Sequence, residues 1–549
     1  MSSIIGLLSD DALSLQQPDV ELAELSHIPH AGLNAAAEQV SSKRTHSGTL
    51  EPLKDTGSKS HSLPLPKVHR PVLTSSPSLP VPLPSHMPKP TSEVAQVDIT
   101  EPPRCLESQS REAKPASRLQ RIQKLWLHWS TAYRIIIAVI LTVNLVCLVY
   151  VALQDLSSPS LLIATSTNLL VAVLVRQEDL INVSFNLVAK IPSTWPLLIR
   201  KIIADLHHYG GVHIGCSISA LLWYCVFVAY NTISCLHHIK SSSMTAWLWI
   251  DIITCYAFML CLLFICITAH PRLRSHFHNT FEHTHRFGGW TAVLVLWVNS
   301  GVASRSSDNT TPLYKTTPIY LLSIITLLIL LPWLRIRRVS VTTRLISPRE
   351  LLLTFPHPNM AYTATIKFSR APLSEWHAFA TQPSPSTGTA SILVSRAGDW
   401  TTALLATPPT HLWLRSPATQ NFLACAPLFA SLLVVATGAG IGPVLSLLAS
   451  PAIAAMRAHH KLVRVMWVLH KPTAPHWDFA LRIIRAVDPA PCLFDTTRRR
   501  PDVAFEACYL ARTAGVEAVM VVSNPRVTDA VVTAVKAQGG AAYGAVFDS

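Results

Sequence analysis

Six apolar runs occupy the middle of the 549-residue chain. A helix that crosses a bilayer needs about 20 mostly apolar residues. Runs 133–153, 211–230 and 246–268 meet that length, and 159–175, 287–303 and 318–334 are shorter. They predict an α-helical membrane domain of about six transmembrane helices over 118–337. Residues 1–117 lack sustained periodicity and are Pro/Ser-rich around 62–90, the pattern of a disordered cytosolic tail. The start, Met1-Ser-Ser-Ile-Ile, shows no basic region followed by an apolar one, so no cleaved signal peptide is expected.

The pattern then changes. Over 338–430, short β-branched runs at 339–343, 351–355, 362–368 and 391–395 predict a small antiparallel β-barrel. Over 431–549, apolar strands at 432–436, 463–469, 492–495 and 516–524 alternate with helical patterns at 443–458, 478–487 and 502–513. Alternation of that kind predicts an α/β domain with a parallel sheet. Its first strand breaks into Thr437, Gly438, Gly440, Gly442 and Pro443, then resumes as an apolar helix. Glycines there let backbone N–H groups approach a pyrophosphate, and Pro443 suits a first helical position. The same turn would also serve plain close packing of small residues.

Composition supports this division. Mean hydropathy is +0.33, with 49% hydrophobic and only 14% charged residues, which is too charge-poor for an ordinary soluble chain. The net charge of +14 is not gathered into Lys/Arg tracts with interleaved aromatics, so nucleic acid is not an expected partner. Eleven scattered cysteines form no C-x-x-C pair and indicate neither a zinc site nor a disulfide framework. Basic residues cluster at 118–134, 176–201, 272–286 and 335–338, whereas the opposite loops hold only Lys240, Arg305 and Lys315. The positive-inside rule therefore puts both termini in the cytosol, the Asn309 sequon outside and the Asn182 sequon inside, with the plasma membrane the expected location.

Trp376-His377-Ala378-Phe379, Arg396-Ala397-Gly398-Asp399-Trp400-Thr401 and the Gly-rich turn follow one another in an order that resembles the flavin-reducing half of ferric reductases and NADPH oxidases. Barrel first, then nucleotide fold, is also the order of a ferredoxin-reductase module. The resemblance implies an FAD barrel and an NAD(P)H domain. His377 and Phe379 would line the isoalloxazine, Arg396 would meet a phosphate, and Gly-Asp-Trp-Thr would close the barrel strand. His377 taken alone reads as a strand-end histidine with a local hydrogen bond. Segments such as Phe494-Asp495-Thr496, Ser523-Asn524, His207-His208-Tyr209-Gly210-Gly211-Val212-His213 and 278–290 narrow the resemblance to the fungal integral membrane protein TmpA family. In that light Ser523 and Asn524 stand on the nicotinamide side, and Phe547 would cover the flavin ring. The sequence departs from the wider pattern: Ala378 and Ala380 replace a proline and a hydroxyl, and Ser523-Asn524-Pro525 replaces Cys-Gly-Pro.

Dihaem reductases place two histidines about 13 or 14 residues apart on each of two spans. Here the positions 13 and 14 beyond His207, His208 and His213 are Ala, Leu, Val or Phe, so a second haem has no ligands. His208, His213, His283 and His285 could hold one inner haem b. The reading preferred here makes them interfacial histidines bonded to headgroups and to Glu282.

The expectation is a membrane flavoprotein oxidoreductase that passes electrons from NAD(P)H through FAD to an unidentified small-molecule or protein acceptor. The alternative is a membrane signalling or scaffolding protein that binds nucleotide or flavin without turnover. A transporter built around Asp251 is a weaker third reading, and Arg498, Arg499 and Arg500 read either as 2′-phosphate ligands or as a solvated loop. With no outer haem, the protein reconstituted alone should fail to reduce an impermeant ferric chelate on the outer side. Pyridine haemochrome assay should give at most one haem per chain. Two haems, or robust outer-face reduction, would overturn this reading.

Overall fold

The structure is a computed structural model that describes residues 131–545 apart from 155, 242 and 307–314. The tail over 1–117, the Asn309 sequon and Phe547 lie outside the described residues. Among the described residues, four helices are long and apolar enough to cross a membrane: Ala132–Leu153, Gly210–Lys240, Ala246–Thr268 and Thr317–Leu334. Helix Ser158–Leu174 is long enough only when taken together with Glu178–Val188, and helix Gly289–Ser306 is not among the four. Helix Gly210–Lys240 runs ten residues beyond the apolar stretch read from sequence. It therefore carries His237 and His238 at the far end from His213, which corrects the expectation that all its histidines lie at one end. Both are exposed, and His238 Nδ1 is 2.9 Å from Ser243 Oγ.

Helix Ser158–Leu174 is followed, after a 66° bend, by Glu178–Val188. The second helix turns aside because its sequence is amphipathic. Ile181, Phe185 and Val188 leave the bundle and join the core of the C-terminal domain, together with Ala204 of helix Leu197–Ala204. Polar groups fix this docking. Glu178, almost wholly buried, pairs with Arg415 (2.8 Å) and Lys367 (3.4 Å) of the barrel. Asn182 donates to the Ala418 carbonyl at 2.8 Å and accepts from the Gln420 N–H at 2.7 Å. Segment 178–208, read from sequence as part of the membrane domain, thus belongs structurally with the barrel and the parallel sheet.

Only Arg335 separates the last apolar helix from β1 (Ile336–Ser340). The barrel continues with β2 (Thr342–Ser347), β3 (Glu350–Pro356), β4 (Ala364–Ser369), β5 (His377–Ser384), β6 (Thr389–Ser395) and β7 (His411–Gln420). Their order in the antiparallel sheet is β1-β7-β4-β5-β6-β3-β2. The two edge strands are joined through Val341 alone, so the sheet must curl until its edges meet. Alternating side chains of β3 and β4 then fill the interior, with Leu351, Leu353, Phe355, Ile366 and Phe368 all buried. Strands β5 and β7 carry Pro383 and Pro417 and do not read as strands in the sequence. Gly-Asp-Trp-Thr does not close a strand: Gly398 starts helix Asp399–Ala406, and the Thr401 hydroxyl accepts from the Ala397 and Gly398 N–H groups.

The second sheet is parallel, in the order β10-β9-β8-β11-β12: β8 (Leu432–Thr437), β9 (Val463–Leu469), β10 (Cys492–Asp495), β11 (Ala518–Val522) and β12 (Ala541–Gly544). Strands β9 and β10 keep the bounds read from sequence. The helical pattern 443–458 is two helices, Ile441–Leu448 and Pro451–Ala458, because Ser450 caps the second and Pro451 opens it. Helix Pro525–Ala537 and β12 are additions to the pattern read from sequence.

Arg200 bolts the docking segment down. Its side chain, 5% exposed, donates to both Glu517 oxygens (2.7 and 3.2 Å), to the Leu428 carbonyl (2.8 Å) and to the Trp195 carbonyl (2.7 Å). Burial pushes the Glu517 carboxyl up, but the Arg200 bonds and the Ala430 N–H outweigh it and hold it lower than usual. Such a lowered carboxyl stabilises the fold above the ordinary glutamate value of 4.5 and stops doing so as pH falls through its folded pKa. Replacing Glu517 by Ala leaves a buried guanidinium without its counter-charge, so stability at neutral pH should fall by about 3 kcal/mol. Denaturant unfolding of the detergent-solubilised chain checks this. The loss should shrink in acid.

Candidate cofactor-binding crevice

The chain runs from β8 outward through β9 to β10, then crosses back to place β11 on the other side of β8. The carboxyl ends of β8 and β11 therefore flank a topological switch point, where open α/β sheets form a crevice. Two turns line it, the Gly-rich turn after β8 and Ser523-Asn524 after β11. Thr437 and Ser523 hydroxyls meet across it at 2.6 Å. Gly438 takes φ +50°, a conformation glycine adopts freely, and its would-be Cβ meets nothing within 4 Å. Its carbonyl accepts from the Trp467 indole at 3.0 Å.

The other glycines have separate roles. A Cβ on Gly440 would stand 2.5 Å from the Val522 carbonyl oxygen, so this glycine lets the turn press against β11 rather than reserving space for a phosphate. A Cβ on Gly442 would face Leu393 and Gln382 of the barrel at ordinary contact distances of 3.6 and 3.8 Å. Pro443 sits third rather than first in its helix, still among the positions whose N–H has no intrahelical partner. Asn524 is committed to capping helix Pro525–Ala537, accepting from the Val527 N–H at 3.0 Å. The same helix that carries Gly442 reaches the barrel again through Ser446, whose hydroxyl accepts from the Thr363 N–H at 3.0 Å.

On the barrel side, His377 and Phe379 both pack against Trp400, with ring centroids 4.5 and 5.6 Å apart. Trp400, part of the Gly-Asp-Trp-Thr motif, forms the centre of this aromatic face. Buried His377 Nε2 and Trp400 Nε1 have no close hydrogen-bond partner on this face, and Gln382 Nε2 is unpaired on the opposite face of β5, toward Gly442. Glu375 is a loose contact of His377 at 3.5 Å. Burial lowers the His377 pKa, against the pull of Glu375 and Glu282, so the ring stays neutral near pH 7. Arg396 lies exposed beyond β6, with its backbone N–H on the Arg349 carbonyl at 2.9 Å. Arg498, Arg499 and Arg500 are exposed beyond β10, at the carboxyl edge of the parallel sheet.

The His-rich loop between the helices also reaches this face. Arg286 donates to the Leu373 and Ser374 carbonyls (2.7 and 2.8 Å), just ahead of β5, and holds Glu282 at 3.8 Å. Residues Thr284–Gly288 form a π-turn, a distortion frequent at functional sites. The structure brings only two of the four predicted metal ligands face to face. His213 and His285 have ring centroids 6.2 Å apart, and His213 Nδ1 donates to the Ala172 carbonyl at 2.8 Å, leaving Nε2 with its lone pair. His283 instead stacks on Phe287, and His208 lies against His207. The outer half of the bundle, read as apolar, contains a buried polar group: Asp251 accepts from Asn231 (3.0 Å) and from Asn299 (2.8 Å).

Residues 422–549 match the model of a family described as the C-terminal domain of adenylate-forming reductase 03009. The chain is 34% identical over 424 residues to adenylate-forming reductase 03009 of Coprinopsis cinerea, and 32% identical over 425 residues to adenylate-forming reductase 06235 of the same organism. Each match covers 76% of this chain and 40% of the relative, so the chain spans less than half the length of either. Among solved structures, a ferredoxin NADP+ reductase from Neisseria gonorrhoeae with bound FAD and NADP matches at 12% identity and TM-score 0.31, over 38% of this chain and 98% of that one. A flavohemoglobin from Malassezia yamatoensis with bound FAD and heme matches at 12% identity and TM-score 0.34, over 71% of this chain and 99% of that one.

The two glycines should behave differently when substituted. Gly440→Ala drives a methyl into backbone and should cost about 1–3 kcal/mol of stability. Gly442→Ala meets only ordinary contacts and should leave stability within about 0.5 kcal/mol. Unfolding midpoints of the two variants side by side decide this, and equal losses would contradict the assignment.

Proposed function

We propose that this chain is a membrane flavoprotein oxidoreductase of the ferredoxin-reductase type, with NAD(P)H as donor, FAD in the barrel and an acceptor at or within the helical bundle. The carrying observation is that the helix opening at the switch-point turn is seated on the barrel, where Gly442 faces Leu393 of β6 and Gln382 of β5, the strand whose other face carries His377 and Phe379. The unpaired Trp400 Nε1 on the aromatic face and the unpaired Gln382 Nε2 on the crevice side of β5 suit a polar group bound where barrel and turn meet. Reductase-named relatives support the same class of chemistry.

His377, Phe379 and Gln382 would hold the flavin, and Arg396 is placed to turn toward its phosphates. Trp400 lies over His377 and Phe379, so it must move aside to admit a ring between them. Thr437 and Ser523 offer paired hydroxyls where a nicotinamide would enter, and the open side of Gly438 leaves room for the dinucleotide backbone. Bound FAD would supply hydride acceptance and single-electron release, chemistry this chain's own side chains lack. Ser523 takes the place of a thiol there, and Ala380 that of a hydroxyl.

One haem would be held by His213 and His285. Two metal–nitrogen bonds of about 2 Å, plus about 1 Å from each nitrogen to its ring centre, give roughly the observed separation. The basic loops, which the positive-inside rule assigns to the cytosol, are the ones that pack on the barrel and the parallel sheet. That supports a multi-pass membrane protein with cytosolic termini and the bilayer as its partner. A second reading, a flavin- or nucleotide-binding signalling protein without turnover, draws support from the position of Trp400.

Full-length protein purified in detergent and supplemented with FAD should be yellow and should bleach anaerobically on adding NADPH or NADH. Arg396→Ala should weaken flavin retention about tenfold or more, through loss of a charge-assisted phosphate contact. Flavin that binds but never bleaches would favour the non-turnover reading. A preparation that retains no flavin would overturn both.

A further inference from the structure

The turn Asp205–His208 joins the docking helix Leu197–Ala204 to the long helix that starts at Gly210. It is a 3-10 turn, and at three residues per turn positions 205 and 208 fall on the same side. One carboxylate oxygen of Asp205 and one ring nitrogen each of His207 and His208 lie within 4.8 Å of one another. His207 is buried and packs edge-on to Tyr543 of β12 at 5.8 Å, with Phe422 at 6.1 Å. The cluster therefore sits where the helical bundle meets the parallel sheet.

The protonation states make this arrangement unusual. A carbonyl can only accept, so the 2.8 Å contact to Ala204 means that His207 Nδ1 carries the proton and Nε2 bears the lone pair. Burial, slightly offset by that bond, brings the His207 pKa down to about 4. Burial, then His207 and Lys536, bring His208 down to about 3. His208 Nε2 stands 3.8 Å from Asp205 Oδ1, beyond hydrogen-bond reach, so the two groups leave a gap between them. Asp205 Oδ1 is buried and lacks any hydrogen-bond partner. A buried carboxylate oxygen beside two neutral imidazoles is an arrangement that a bound cation satisfies.

We propose that Asp205, His207 and His208 form a divalent transition-metal site, separate from the His213–His285 pair, that takes zinc with water in the fourth position. Two imidazole nitrogens and one carboxylate oxygen suit tetrahedral zinc, whereas calcium and magnesium call for oxygen ligands throughout. Bonds of about 2.0–2.1 Å require the donors to draw in to about 3.4 Å. The ion would lock the turn that leads into the long helix, beside Tyr543, whose hydroxyl donates to the Lys201 carbonyl at 3.2 Å.

The test uses the full chain in detergent, stripped with EDTA and titrated with Co2+. One Co2+ per chain with tetrahedral d–d absorption, displaced by Zn2+, is expected. Asp205→Asn and His207→Gln should each weaken binding tenfold or more while the thermal transition stays cooperative. If either variant fails to fold, zinc X-ray absorption on the wild-type protein gives an independent answer, with a first shell of nitrogen and oxygen including two imidazoles expected. Absence of Co2+ binding, undiminished binding in folded Asp205→Asn, a sulfur ligand, or loss of binding in His213→Ala but not in Asp205→Asn would each overturn the proposal.

Discussion

Phe185, Leu393, Trp467 and Tyr543 come from a docking helix, a barrel strand and two strands of the parallel sheet, and they share one buried core. That shared burial is the constraint on which the other features depend. It fixes the Gly-rich helix against β5 and β6, and so seats the switch-point crevice on the barrel. It also explains why Arg200 and Glu178 can be buried at all. Each is a charge that would be costly alone, and each is held by partners that only the docked arrangement supplies.

The helical bundle is connected to this core at several points rather than by its covalent link alone. Segment 178–208 packs into it, Arg286 holds the loop ahead of His377, and Arg335 pairs with Asp179. The π-turn that carries His285 is therefore anchored to the same loop that positions the barrel's histidine. In the proposed reading, this places the two redox centres on opposite sides of a rigid contact rather than across a flexible hinge.

The parts of the fold legible in the sequence are those whose burial is simple. Strand β9 is buried at every position but Arg464 and reads as a nearly continuous apolar run, and helix Asp478–Val487 has one clear apolar face. Strands β5 and β7 escape a sequence reading because their proline and polar positions suit a strand only once their partners are known. Strand β12, Ala-Ala-Tyr-Gly, has little strand preference of its own and is held by pairing with β11. The Ser450-Pro451 break carries the signal of a helix start, but apolar residues that continue on both sides mask it. At the candidate site, motif order pointed to His377 and Phe379. The central position of Trp400, the different duties of Gly440 and Gly442, and the pairing of His213 with His285 rather than His283 follow from contacts between distant segments. No local pattern records those.

The way the chain is threaded through this core has a practical consequence. The last apolar helix ends at Leu334 and β1 starts at Ile336, which suggests a natural place to divide the protein into two halves. Yet part of the C-terminal half's interior is made by residues that precede four of the bundle's helices in the sequence. A soluble fragment cut at that junction would expose the surface that Ile181, Phe185 and Val188 normally cover, and would strand Glu517 without Arg200. The reductase-like half is therefore not a detachable cassette. Any excised version would need segment 178–208 supplied as a separate chain or spliced back in by permutation.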